Sequence, residues 1–476
     1  MFKKNKIIGS LIIILLFSSY SKLSAQTNTL YYMNGVHQSL FLNPAYQSDC
    51  NFTLGLPAIS GINIAFDNNA FSYNNWFQKS NNSPDTLIFD FNNVKDNLRK
   101  NNYVNFTTAV PIIDLGFWIR NSYFTFSITN KTDVAFSFPY ELVELAIEGN
   151  GNYIGADNPL VIDNFGSNSM NYHEFAFGLS KQITHRLFLG ARLKLLFGTT
   201  NIDSRNSEIK ITTDQDTYAI GIDTDIDLNL SGPFTIVRDS AGLIQDVQID
   251  DSNPLSYALT AGNLGLALDM GATYKFNDHF DFFGSVTDLG FINWGKNVIN
   301  LTQKESYKFT GLSLDSIGTN YDEFNAILDS LDRFTKFKES NLDYTRMLNA
   351  KIFLGATYSP ADFMNFGFLS KTTFIGSSIT QAFTLSANFH PVKWFSGSLS
   401  YTAASGKYNN FGLGMAVNAG AFQIYMLTDN LNSALWPKDA KSIAVQVGLN
   451  LTFGCGKRDD YSIINNKKLR KDVDFL

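Results

Sequence analysis

The sequence predicts an all-β fold: a transmembrane, up-and-down antiparallel barrel of about 14 strands. Three observations carry this. Apolar residues recur at every second position over long stretches, tight links alternate with long excursions, and the composition is that of a protein turned inside out. Over residues 52–66 the apolar positions are Phe52, Leu54, Leu56, Ala58, Ile62, Ile64 and Phe66, broken only by Ser60. A period of two is an extended strand with one greasy face. Its length suits a tilted crossing of a bilayer better than an average globular strand.

The elements follow in order. Lys3, Lys4 and Lys6 precede an apolar run over 7–17, and Leu23-Ser24-Ala25 offers a small-residue cleavage site, so residues 1–25 are expected to be a secretory signal peptide. The run is too short for a membrane helix. Residues 26–50 precede the first strand, the barrel is expected over 51–454, and 455–476 form a periplasmic tail. Alternation places strands at 51–66, 103–119, 123–138, 172–183, 187–203, 259–276, 280–294, 346–358, 363–375, 379–389, 392–404, 408–417, 421–430 and 441–453. Even-ranked strands end in tight links such as Asn121-Ser122, Asn277-Asp278-His279 and His390-Pro391. The long excursions, 67–102, 139–171, 204–258 and 295–345, all follow odd-ranked strands. Short periplasmic turns alternating with long outer loops is the outer-membrane pattern. A further pair within 205–230 would raise the count to 16, but its aspartates suit a hairpin above the membrane.

Composition agrees. Aromatic residues reach 14%, while charged residues are 17% against a usual ~25%. No linker or composition break divides the chain into domains. Cleavage after Ala25 would remove four lysines and no acid, leaving 33 basic against 43 acidic residues. That balance excludes a nucleic-acid binder. The five scattered histidines show no metal-ligand spacing, and neither a catalytic signature nor a phosphate loop is present. No enzyme, cofactor or metal is expected.

Local features stand out against this frame. Cys50 lies just before the first strand and Cys455 just after the last; closure of an even-stranded barrel makes them neighbours at an oxidising rim, so a disulfide across the seam is expected. In the second strand the alternation changes phase at Pro111, which implies a bulge, and a kink there could open the wall sideways. Phe324, Ile327, Leu328, Leu331 and Phe334 give 321–339 helical spacing within an outer loop. On the last strand, Gln446, Gly448, Leu451 and Phe453 follow the order polar, glycine, apolar, aromatic. This order resembles the terminal signal by which the barrel-assembly machinery captures its clients through strand addition.

Leu30-Tyr31-Tyr32-Met33, Phe41-Leu42-Asn43-Pro44-Ala45, Asp288-Leu289-Gly290-Phe291-Ile292-Asn293-Trp294 and Trp436-Pro437-Lys438-Asp439 resemble a family of secreted barrel proteins known mainly as a domain of unknown function. Asn43-Pro44-Ala45 before the first strand is also similar to the FadL-like and PorV barrels, and the opening segment to the PorP/SprF barrels of type IX secretion and gliding. The resemblance to the FadL-like and PorV barrels implies that residues 26–50 fold into the lumen as a plug. Together the resemblances imply a protein of the Gram-negative outer membrane, in contact with its lipid, acting as a passive channel for small apolar molecules. The alternative they imply is a scaffold that holds secretion-system proteins.

Overall fold

A computed structural model of the chain describes residues 28–456, apart from 34, 81–82, 239–243, 250–261, 310–336, 377 and 405–406. The expected leader and nearly all of the expected tail lie outside the described residues. Fourteen strands close a cylinder. They are β1 in two halves (Cys50–Gly55 and Ile62–Asn68), β2 (Asn101–Ile119), β3 (Ser122–Pro139), β4 (Gly166–Gln182), β5 (Leu187–Thr213), β6 (Leu264–Lys275) and β7 (Phe280–Trp294). There follow β8 in two halves (Tyr344–Met347 and Lys351–Ala361), β9 (Met364–Ile375), β10 (Ser378–Val392), β11 (Phe395–Ala404), β12 (Lys407–Ala419), β13 (Phe422–Thr428) and β14 (Ser442–Cys455). Neighbours pair antiparallel, and β14 returns to β1 with Phe52 opposite Phe453 and Ile64 opposite Val445. Among the described residues each of the fourteen wall strands has a partner on both sides, as a wall in hydrocarbon requires.

The period of two becomes an inside and an outside. On β6, Leu264, Leu266 and Met270 are about half exposed, whereas Gly265, Ala267 and Asp269 are buried. The same outward face continues through Leu193, Phe282, Leu354, Phe368, Leu385 and Leu399. So large an apolar band is a liability in water and the correct surface for lipid.

The sheet extends past the membrane on one side. β5 leaves β6 at Phe197, and its outer part pairs with a strand at Ile220–Ser231, which pairs in turn with Val298–Phe309. These strands rise above the wall without joining the cylinder, so the count is 14 rather than 16. Of the helix expected over 321–339, residues up to 336 lie outside the described part, and Lys338–Ser340 pair as a short strand instead.

Two irregularities lie side by side in the wall. The ladder between β2 and β3 slips between Pro111 and Ile113, leaving Ile112 as an extra residue. The first strand, expected to be continuous, is broken: residues 56–61 face only Gly448 and Leu449 of β14. Pro57 cannot donate to a ladder. The remaining backbone groups find other partners, with Leu56 donating to Leu449, Ala58 to Pro111, and Leu449 to Ile59. Gly448 makes the break possible, because a Cβ there would collide with the Ser60 carbonyl and the Tyr425 ring.

Candidate functional site

The site is the lumen, and its floor is the segment that precedes β1. The described residues of 28–47 touch inward-facing side chains on strands all around the cylinder, which is possible only from within it. Two short 3-10 turns, Thr29–Tyr32 and His37–Phe41, compact the segment. Tyr31, Tyr32 and Tyr46 pack with Tyr123, Phe283, Phe353 and Leu369 of the wall. The inside of the barrel is therefore partly aromatic rather than uniformly polar. Burial raises the Tyr31 phenol above its ordinary range, so it stays a neutral hydroxyl; it accepts a hydrogen bond from Asn43 Nδ2 at 3.1 Å.

Polar contacts hold this floor at both ends. The Asp429 carboxylate, just after β13, accepts from the backbone N–H of Asn28 at 2.5 Å and of Thr29 at 3.1 Å, and from the Thr29 hydroxyl. Gln38 donates to Asp114 at 2.9 Å and to Asn450 at 2.8 Å. Asn43 Oδ1 accepts from Ala45 N–H at 3.0 Å, and the Ala45 carbonyl accepts from Ser180 at 3.1 Å. Pro44 presses its carbonyl onto the wall at Gly190, where a Cβ would not fit. The Asn43-Pro44-Ala45 motif is thus a turn seated on β4 and β5.

Above the floor lies a cluster of buried charges. Asp288 on β7 receives Lys131 at 3.2 Å, Lys194 at 2.7 Å and Lys351 at 2.7 Å. Lys194 also reaches Asp269 at 2.7 Å, and Arg192 lies 3.3 Å from Asp269 and 3.7 Å from Glu174. Lys131 closes the network on Glu174 at 2.7 Å. These residues come from β3 through β8, so the contacts cross the lumen as well as running along the wall. Buried ions survive only when paired and hydrogen-bonded, and here each carboxylate is shared by two or three cations.

Two cavities adjoin this cluster. The outer one, about 490 Å³, is lined by the outer ends of the strands, including Asn168, Arg205 and Arg346. The inner one, about 150 Å³, reaches down to Leu30 and Leu42 of the floor and sideways to Gly61 and Pro111. Both are lined by Thr107, Asp133 and Lys351, which therefore stand between them. The inner cavity therefore abuts the place where β1 is broken and β2 bulges.

The remaining expected site residues are at the seam. Cys50 stands opposite Cys455 in register, with their sulfurs 2.04 Å apart. On β14, Gln446 points inward and donates to Tyr425 at 3.1 Å, Phe453 faces outward, and Leu451 pairs with Leu54. With the seam cross-linked in this way, denatured and unreduced protein should take up no thiol label, and two labelled cysteines would contradict the bond. The charge cluster was not anticipated from sequence. Its only sign there is Arg192 and Lys194, two apart on the inward face of an otherwise greasy strand.

The model of a family of unknown function (DUF5723) matches residues 44–429. Among curated proteins none matches. A mutant of the monoaromatic hydrocarbon channel TodX superposes with a TM-score of 0.42 at 10% identity, covering 91% of this chain and 96% of that one. A Pseudomonas aeruginosa FadL homologue gives a TM-score of 0.40 at 9% identity, with 92% and 100% covered. The Ralstonia pickettii toluene transporter TbuX gives 0.39 at 9% identity, with 88% and 94% covered. At these values the likenesses carry no argument about what this chain binds.

Proposed function

This chain belongs to the family of unknown function DUF5723, and because membership assigns no activity, we propose from its geometry that it is a plugged passive channel for small solutes in the outer membrane. The observation that carries the reading is the pair of adjacent cavities sharing Thr107, Asp133 and Lys351, the outer lined by the outer ends of the strands and the inner resting on Asn28, Leu30, Phe41 and Leu42 of the floor. A solute would enter between the outer loops and pass the constriction at Thr107, Asp133 and Lys351. It would leave past the floor, or sideways where residues 56–61 and Pro111 interrupt the wall. Selection in such a route is by shape and affinity, without chemistry. The lining of both cavities, rich in charged and amide side chains, argues for a small polar solute over the wholly apolar one implied by resemblance to FadL-like barrels. Liposomes carrying the protein should swell faster than empty ones in an isosmotic solution of a small solute such as arabinose. Equal rates, with a small apolar dye also entering no faster, would remove the channel reading.

A further inference from the structure

Among the described residues, Lys371 on β9 is the one cation of the inner cavity that the charge network leaves out. It is 5% exposed, lines the 150 Å³ cavity, and makes no hydrogen bond or ion pair among the described residues. Its ammonium lies 5.9 Å from the centre of the Phe353 ring. Asp429 acts on it only through space and is engaged by the floor segment. Lys351, on the neighbouring strand and on the same inward face, lines the same cavity but is held by Asp288. A buried ammonium without an acceptor is costly, and the Phe353 ring and the distant Asp429 offset only part of the cost.

We propose that Lys371 is the anchor of a binding site for a small, singly charged carboxylate, seated in the inner cavity and drawn there also by the field of Lys351. The carboxylate would accept from the Lys371 ammonium and supply its missing counter-ion. Single charge is preferred because Asp133, which lines the same cavity and forms no ion pair of its own among the described residues, repels a second negative charge. The site names the solute class for the proposed channel and in that respect rests on it.

The test is equilibrium binding to the full-length protein in detergent micelles, with acetate as the probe and ionic strength held constant by a bulky sulfonate. Acetate should raise the unfolding midpoint saturably. Lys371→Gln should weaken the response at least tenfold, and Lys371→Arg should keep it within threefold. Heat-modifiable gel migration identifies variants that have folded, and the arginine variant keeps the test decisive if the glutamine variant has not. Inorganic phosphate at pH 8, largely a dianion, should bind at least fivefold more weakly than acetate. No saturable response in the wild type, or an equal one in Lys371→Gln, would overturn the site; phosphate binding as tightly as acetate would overturn the single-charge assignment. Binding without liposome swelling would leave the site standing and sink the channel, and swelling without binding would do the reverse.

Discussion

Asp288→Ala should cost the barrel about 3–5 kcal/mol, the range for breaking a buried ion pair by removing one partner. Its two oxygens receive Lys131, Lys194 and Lys351, and the lost carboxylate would strand the Lys351 ammonium and leave Lys131 and Lys194 only their pairs with Glu174 and Asp269. A second contribution is conformational. Asp288 has a φ of 58°, a left-handed conformation in which alanine is strained and asparagine is at ease. The ladder between β6 and β7 slips at this point, and the Asp288 N–H donates to Asp269 at 2.7 Å. Asp288→Asn should therefore be milder than Asp288→Ala, because it keeps the backbone and loses only the charge. Adding Lys351→Met to Asp288→Asn should recover part of the loss, because the cation whose ion pair was with Asp288 alone goes with it. Urea unfolding in lipid vesicles measures all three, and an Asp288→Asn variant within 0.5 kcal/mol of wild type, on the order of a surface substitution, would contradict this account.

Asp429→Ala should free the start of the floor segment. The substitution leaves the Asn28 N–H, the Thr29 N–H and the Thr29 hydroxyl without their shared acceptor. Hydrogen bonds to a charged group contribute about 1.5–3 kcal/mol each. The segment can answer by moving into water, so the effect is expected as release rather than global unfolding. A shift of about 2 kcal/mol is roughly a thirtyfold rise in the released population. Protease should then cut near residues 28–33 at a rate raised by that order, with the barrel's unfolding midpoint nearly unchanged. Liposome swelling should accelerate in parallel. Cleavage at the wild-type rate would mean that the aromatic packing of Tyr31, Tyr32 and Tyr46 alone holds the floor.

The wall was legible because its physics is local. A strand between lipid and lumen must alternate, and the runs on β6 and β14 lie in the structure as the pattern requires, with Leu266 and Val447 outward and Ala267 and Gln446 inward. The irregularity at Pro111 was visible because one extra residue, Ile112, inverts the phase. The larger break in β1 was hidden for the opposite reason. Residues 56–61 face two residues of β14, an even excess that returns the chain in phase, so Ile62 and Ile64 continue the rhythm of Phe52 and Leu54. The charge cluster was illegible because its partners meet only after closure. Lys131 and Asp288 stand on strands that share no ladder, and no spacing within either strand announces the other.

The central claim, a closed wall with its oily side chains toward lipid, is tested most directly along β6. Nitroxide labels placed one at a time at positions 264–267, 269 and 270 of protein in bilayers can be scored for collision with dissolved oxygen, which concentrates in hydrocarbon. This account predicts high accessibility at Leu264, Leu266 and Met270 and low accessibility at Gly265, Ala267 and Asp269. Uniformly low accessibility across all six positions, the signature of a strand buried inside a water-soluble core, would contradict it.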